Sequence, residues 1–157
     1  MGEAVIRRAT VDDMAALAEL RRVFTEEDPP PGEPRADFGE AFRAVVGEGL
    51  RDGSWVVWVA ETEGEIVGHT FVAVVPKVPR PVEAPSRIGY LTNVYTRPAH
   101  RGRGLGGKLL TATTDWARHH GIELLIVWPS ERSTSLYRRH GFVSPGEPLV
   151  WSNPDAG

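Results

Sequence analysis

The stretch His100-Arg101-Gly102-Arg103-Gly104-Leu105-Gly106-Gly107-Lys108 decides how the rest of the chain is read. It lies between a run of strand character, Ile88 to Thr96, and a strongly patterned helix that starts at Leu105. In that helix Leu105, Leu109, Ala112 and Trp116 recur at helical spacing, with Leu110, Thr113 and Ala117 beside them. His119-His120-Gly121 ends it with basic side chains and a glycine stop. A helix N-terminus offers N–H groups without intrahelical partners and a partial positive charge, and glycines let an anion come close to the backbone. Arg97, Arg101, Arg103 and Lys108 add four cations, with no carboxylate between Arg97 and Lys108. This combination suits a ligand with two or more phosphates, held by Arg101, Gly102, Arg103, Gly104, Leu105, Gly106 and Gly107.

Upstream, Ala4 to Arg8 reads as a first strand, and Thr10-Val11-Asp12-Asp13 as a helix start with Thr10 as N-cap. Met14, Leu17, Leu20 and Phe24 then form one apolar stripe. Residues 26–39 hold four prolines and read as a long surface loop. A second helix is expected from about Phe38 to Arg51, ending at Gly53. Trp55 to Glu61 and Ile66 to Val75 flank Glu63-Gly64 and predict a β-hairpin. Downstream, the apolar run Ile122 to Trp128 predicts a strand buried on both faces. A short helix from Arg132 to His140 is followed by one or two strands between Phe142 and Trp151. Trp55, Trp58, Trp116 and Trp128 fall on buried-type faces. The expected fold is a single α/β (α+β) domain over residues 1–157. Its central sheet is mixed and mostly antiparallel, with about six or seven strands and about four flanking helices.

Composition narrows the function. The 157 residues are 41% hydrophobic and 25% charged, enough for a core and for solubility. A formal charge of −3 argues against a nucleic-acid partner. No stretch reaches the ~18 consecutive apolar residues of a membrane span. The start lacks the order of a secretory signal, and Ile6 breaks the myristoylation pattern that Gly2 would open, so a cytoplasmic location is expected. With no cysteine, disulfides, cysteine metal sites and a thiolate nucleophile are excluded. No metal site is expected: adjacent His119 and His120 diverge on a helix and make a poor ligand pair.

Details of the turn sort the phosphate ligands. A P-loop requires Ser or Thr after Gly-Lys, whereas Leu109 follows Lys108. Gly102, Gly104 and Gly107 match the dinucleotide pattern G-x-G-x-x-G, and Glu123 follows at a suitable distance. Yet Glu123 opens its strand instead of closing it, and 50 residues after Gly107 are too few for a second nucleotide-binding half.

Arg101-Gly102-Arg103-Gly104-Leu105-Gly106 instead matches R-x-x-G-x-G, and the chain resembles the GNAT superfamily of N-acyltransferases, whose acyl-CoA diphosphate motif this is. Asn93-Val94-Tyr95-Thr96-Arg97-Pro98 is similar to that family's fourth strand and following turn, and Tyr137-Arg138-Arg139-His140-Gly141-Phe142 to its Y-x-x-x-G-F segment. The resemblance covers nearly the whole chain and is densest from Ile88 to Phe142. It implies acetyl-CoA as cosubstrate, CoA as product, and a small-molecule or peptide amine as acceptor, attacked directly in a ternary complex. It places the pantetheine arm along Val94, Tyr95 and Thr96, where a bulge parts that strand from the next and a backbone N–H near Val94 or Tyr95 polarises the thioester. It makes Tyr137 the acid that protonates the departing thiolate. Ser130 stands where the family often has an Asn that contacts the pantetheine amide, and Ser133 where Ala is common.

The general base stays open among His69, a loop carboxylate and a water chain. Residues 26–40 carry six carboxylates against the single cation Arg35, a charge suited to a cationic amine and equally to a solvated loop. A non-catalytic acyl-CoA sensor of the same fold is the alternative function. Both a monomer and a homodimer fit the sequence.

Overall fold

The computed structural model describes residues 2–144, 146 and 148–155. Five strands form one sheet in the order β1-β2-β3-β4-β5. They are β1 Val5–Arg8, β2 Trp55–Thr62, β3 Glu65–Pro76, β4 Arg87–Thr96 and β5 Ile122–Ile126. Neighbours are antiparallel except β4 and β5, which run parallel. The helices are α1 Met14–Glu27, α2 Phe38–Phe42, α3 Glu48–Asp52, α4 Leu105–His119 and α5 Thr134–Arg139. A π-helical segment, Arg43–Gly47, joins α2 to α3, so Phe38–Asp52 is one continuous helical stretch closed by the left-handed Gly53. No helix among the described residues is long and apolar enough to cross a membrane.

Two apolar layers hold the sheet. On one face Leu17 and Leu20 of α1 and Val46 pack against Val57, Val59, Phe71 and Tyr95. On the other, Leu110 and Trp116 of α4 and Tyr137 of α5 pack against Val56, Val72 and Leu91. Strands β2 and β3 are therefore covered on both faces, and residues 66–72 of β3 are buried without a break. The hairpin between them turns on two residues, Glu63 at φ 52° and Gly64 at φ 79°, the paired positive φ that matches the strand twist. At the N-terminal side, Arg7 bonds Asp13 and Glu61 together and so fixes the start of α1 against β1 and β2.

Three sequence expectations need correction. The sheet has five strands among the described residues, not six or seven, and no strand lies between Phe142 and Trp151 there. That segment contains Pro145 and Pro148, which cannot donate to a ladder. In consequence β5 is an edge strand, with Glu123 and Leu124 exposed; an apolar run alone does not say whether a second neighbour exists. Trp128 follows the end of β5 and is 63% exposed, whereas Trp116 is buried.

Two polar side chains lie fully buried in β3. Thr70 Oγ1 and Thr113 Oγ1 are 2.8 Å apart, joining the strand to α4. His69 is completely inaccessible, and its Nδ1–H donates to the Asn93 carbonyl at 2.7 Å. Asn93 belongs to a bulge in β4: His69 is opposite Tyr95 and Phe71 opposite Thr92, leaving Asn93 and Val94 to face Thr70 alone. The bulge residue has φ 50°, a left-handed conformation that Asn tolerates better than most residues.

Two outcomes are expected. A Cβ at Gly49 would stand 2.2 Å from Trp55 Cδ1 and 2.7 Å from Trp55 Cβ, while Gly39 has open space. Gly49→Ala should cost about 1–3 kcal/mol, read as a fall in Tm, and Gly39→Ala should leave Tm level or slightly raised. The second outcome concerns acid. Burial holds His69 down to a pKa of about 4, below its ordinary 6.5, so the unfolded chain binds the extra proton between those values. The neutral ring's contribution is intact above pH 6.5 and lost as pH falls towards 4, on the order of 3 kcal/mol. Urea melts from pH 7 to 4 should therefore fall less steeply for His69→Asn than for the parent chain.

Candidate cofactor and active site

The glycine-rich turn divides into two parts with different duties. After β4 the chain makes a 3₁₀ turn at Pro98–His100, and then Gly102 and Gly104 adopt φ of 75° and 76°. A Cβ at either position would meet nothing within 4 Å, so this side of the turn is open. The first α4 ladder bond runs from Lys108 N–H to the Gly104 carbonyl at 3.1 Å, which leaves the amides of Leu105, Gly106 and Gly107 ahead of the ladder. Gly106 and Gly107 serve packing as well. A Cβ there would stand 3.3 Å from Leu136 Cδ2 and 3.0 Å from His140 Nε2, so their smallness lets α5 approach the start of α4. Spacing in the sequence pointed all four glycines at an anion and could not separate these roles.

The cations divide too. Arg103 and Lys108 are exposed on the turn. Arg97 reaches Glu65 at 3.8 Å. Arg101 turns back towards α1: Nη2 bonds Glu27 Oε2 at 2.7 Å, Nε donates to the Thr96 carbonyl at 2.9 Å, and the guanidinium lies 5.5 Å from the Tyr95 ring centre. Tyr95 Oη donates to the other Glu27 oxygen. The Arg101 guanidinium, then the Tyr95 hydroxyl, hold the Glu27 carboxyl below the usual carboxylate range. Burial, followed by the hydrogen bond to Glu27, pushes the Tyr95 phenol up to about 12. Arg101 is thus a brace between α1, β4 and the turn, and what it gives the turn is the path of its main chain.

Along β4, Val94 is half-buried towards α4, while Tyr95 is buried towards α1 and stacks on Phe24 with ring centres 4.6 Å apart. Thr96 closes the strand. Pairing between β4 and β5 extends only to Gly89–Leu125 and Tyr90–Ile126. Past that point the bulged half of β4, residues 91–96, has no β5 partner, so one edge of its backbone lacks a strand neighbour. The Asn93 side chain is held from α1 by Arg21 Nη1 at 2.9 Å. Sequence analysis missed Arg21, Glu27 and this use of Asn93, and no local signal marks them: each acts on a residue 72, 68 or more positions away.

Tyr137 lies on α5, 5% exposed, its ring edge-on to Phe142 at 5.4 Å. Burial raises its phenol pKa, so it stays protonated through the neutral range. Ser130 and Ser133 form the turn that launches α5, their hydroxyls 2.9 Å apart, with Ser133 Oγ also accepting the Ser130 N–H at 2.9 Å. His69, one of the sequence candidates for a base, is sealed from solvent with Nδ1 committed to Asn93, so it does not reach an acceptor. Glu123 stands at the beginning of β5, paired with Lys77. A shallow apolar groove of about 510 Å³ lies over the paired ends of β4 and β5, lined by Val75, Ile88, Tyr90, Ile126 and Trp128. Tyr90 and Trp128 meet edge-to-face there, 5.5 Å apart.

The chain as a whole is similar to known proteins. The chain is 37% identical over 103 residues to the mycothiol acetyltransferase of Acidimicrobium ferrooxidans, a match spanning 62% of this chain and about a third (32%) of that protein. It is 29% identical over 145 residues to an uncharacterized N-acetyltransferase, YhfO, of Bacillus subtilis, covering 87% of this chain and 88% of that one. A crystal structure of a Clostridium acetobutylicum predicted acetyltransferase with acetyl-CoA superposes with a TM-score of 0.79 at 24% identity, over 95% of this chain and 96% of that one. The family model for the acetyltransferase (GNAT) family matches residues 14–142, which takes in α1, the hairpin, the bulged strand, the glycine turn and Tyr137. The chain belongs to the GNAT acetyltransferase family.

Proposed function

We propose that this protein transfers an acetyl group from acetyl-CoA to a primary amine, with both substrates bound together. The observation that carries the reading is the junction of β4 and α4: two open left-handed glycines and three amides ahead of the helical ladder stand directly after a strand whose edge is released from β5. A diphosphate fits this cradle, because the amides and the helix dipole offer donors and positive charge beside the open space at Gly102 and Gly104. The released edge of β4 fits an extended amide-bearing arm, which needs backbone partners along its length.

Acetyl-CoA supplies the activated thioester when bound. The chain's own groups do the rest. Leu105, Gly106 and Gly107 hold the diphosphate through backbone N–H groups, with Arg103 and Lys108 adding charge at the rim. Val94, Tyr95 and Thr96 offer main-chain donors and acceptors along the arm, and a backbone N–H next to the bulge donates to the thioester oxygen as negative charge grows there. Ser130 and Ser133 shape the turn beside the arm and carry α5. The amine nitrogen forms its bond to the acyl carbon as the carbon–sulfur bond breaks, and Tyr137 gives its phenolic proton to the sulfur. The proton shed by the amine leaves through water or an exposed carboxylate of residues 26–40, since His69 is sealed and both oxygens of Glu27 are taken by Arg101 and Tyr95. Glu26, Asp28, Glu33 and Glu40 remain at the surface of that segment, a field that draws in cationic amines. The Tyr90–Trp128 groove suits an apolar portion of the acceptor.

Tyr137→Phe is the direct test. Thiol release from acetyl-CoA with a panel of primary amines should fall about 100-fold in kcat, while calorimetric Kd for CoA stays within about twofold. Unchanged turnover would remove Tyr137 from the acid role. CoA binding by the parent protein without thiol release across the panel would replace the transferase with an acyl-CoA sensor.

A further inference from the structure

A histidine buried among aromatic rings with one nitrogen idle needs a reason. His69 stands in β3 between Val59 and Tyr95 in register, its ring 5.1 Å from Phe71 and 5.9 Å from Tyr95. Its Nε2 is buried with no hydrogen-bond partner. An aliphatic side chain would fill such a place without an orphaned polar atom. The bond that the ring does make is therefore the informative one. Nδ1–H donates to the carbonyl oxygen of Asn93, the left-handed residue of the β4 bulge.

The Asn93 carbonyl and the Val94 N–H belong to one planar trans peptide, so they point in opposite directions. Holding that carbonyl towards β3 aims the Val94 N–H away from β3. On that side of β4, beyond Tyr90, no β5 residue pairs with it. We propose that His69 is a positioning residue for acyl transfer: by bonding the Asn93 carbonyl it points the Val94 N–H into the opening between β4 and β5, where it serves as the donor to the thioester oxygen. This rests on the transferase reading above. The same bond polarises the peptide and makes its N–H a better donor. Arg21 of α1 holds the Asn93 side chain, so the bulge residue is tied through both its carbonyl and its side chain. Burial keeps the ring neutral, with the proton on Nδ1 as the carbonyl requires.

The test compares His69→Leu with His69→Asn, whose side-chain N–H stands where Nδ1–H stands in the parent. Thiol release from acetyl-CoA with the amine panel should fall at least tenfold in kcat for His69→Leu, with CoA Kd within about twofold, because a misdirected donor costs the transition state more than the ground state. His69→Asn should recover most of that loss. In the cofactor-free protein, the Val94 amide proton resonance should move upfield in His69→Leu and return in His69→Asn. Unchanged kcat together with an unmoved Val94 resonance in His69→Leu overturns the proposal. Should His69→Leu fail to fold by circular dichroism, His69→Gln replaces it: its N–H lies nearer the Nε2 position, and equal kcat for Asn and Gln overturns the proposal. A parent protein that binds CoA but releases no thiol defeats the transferase reading instead, and the Val94 resonance still decides whether His69 aims that amide.

Discussion

Backbone N–H and C=O groups that lose a strand partner must find another, and the second half of β4 is where this chain meets that constraint. Up to Tyr90 the strand pairs on both sides; after it, β5 ends and a bulge at Asn93 and Val94 breaks the register with β3. A free and distorted strand edge inside a sheet is unstable unless held. The holders come from both neighbours. His69 of β3 takes the Asn93 carbonyl, while α1 lays Arg21 on the Asn93 side chain, Phe24 on the Tyr95 ring and Glu27 on the Tyr95 hydroxyl. Because Arg101 also ends on Glu27, the same helix fixes where the glycine turn begins. The released edge of β4 and the glycine turn are thus set by one packed unit, although the pieces come from residues 21 to 107.

The position of α5 follows from a second economy of space. Two glycines at the start of α4 leave room for Leu136 and His140, and this brings Tyr137 into the apolar layer beside the released edge of β4. A turn glycine with positive φ and a helical glycine without a side chain solve different problems, conformational at Gly102 and Gly104, steric at Gly106 and Gly107. Both are served by one short run of sequence.

What could be read in the sequence was what local physics controls. The hairpin turn at Glu63-Gly64, the apolar stripe of α4, the glycine stop after α3 and the glycine turn before α4 follow from periodicity, propensity and φ requirements within a few residues. The strand neighbours of β5 and the exposure of Trp128 depend on whether a further strand joins the sheet, which an apolar run does not encode. The bulge was expected through family resemblance and not through any feature of Leu91 to Thr96. The bracing by Glu27 and Arg21 links residues some 70 positions apart, and their charges read locally as a solvated acidic loop and an exposed helix face. His69 looked like a possible base because its intrinsic pKa suits one; burial removes it from that role.

The most direct measurement follows the backbone amides of the ¹⁵N-labelled protein as CoA is added. Binding through the glycine turn predicts large saturable shifts for Leu105, Gly106 and Gly107, at the same concentration as those of Val94 to Thr96, with pantetheine alone moving only the strand residues. A CoA titration that leaves the three turn amides in place, whether or not other resonances move, would contradict it.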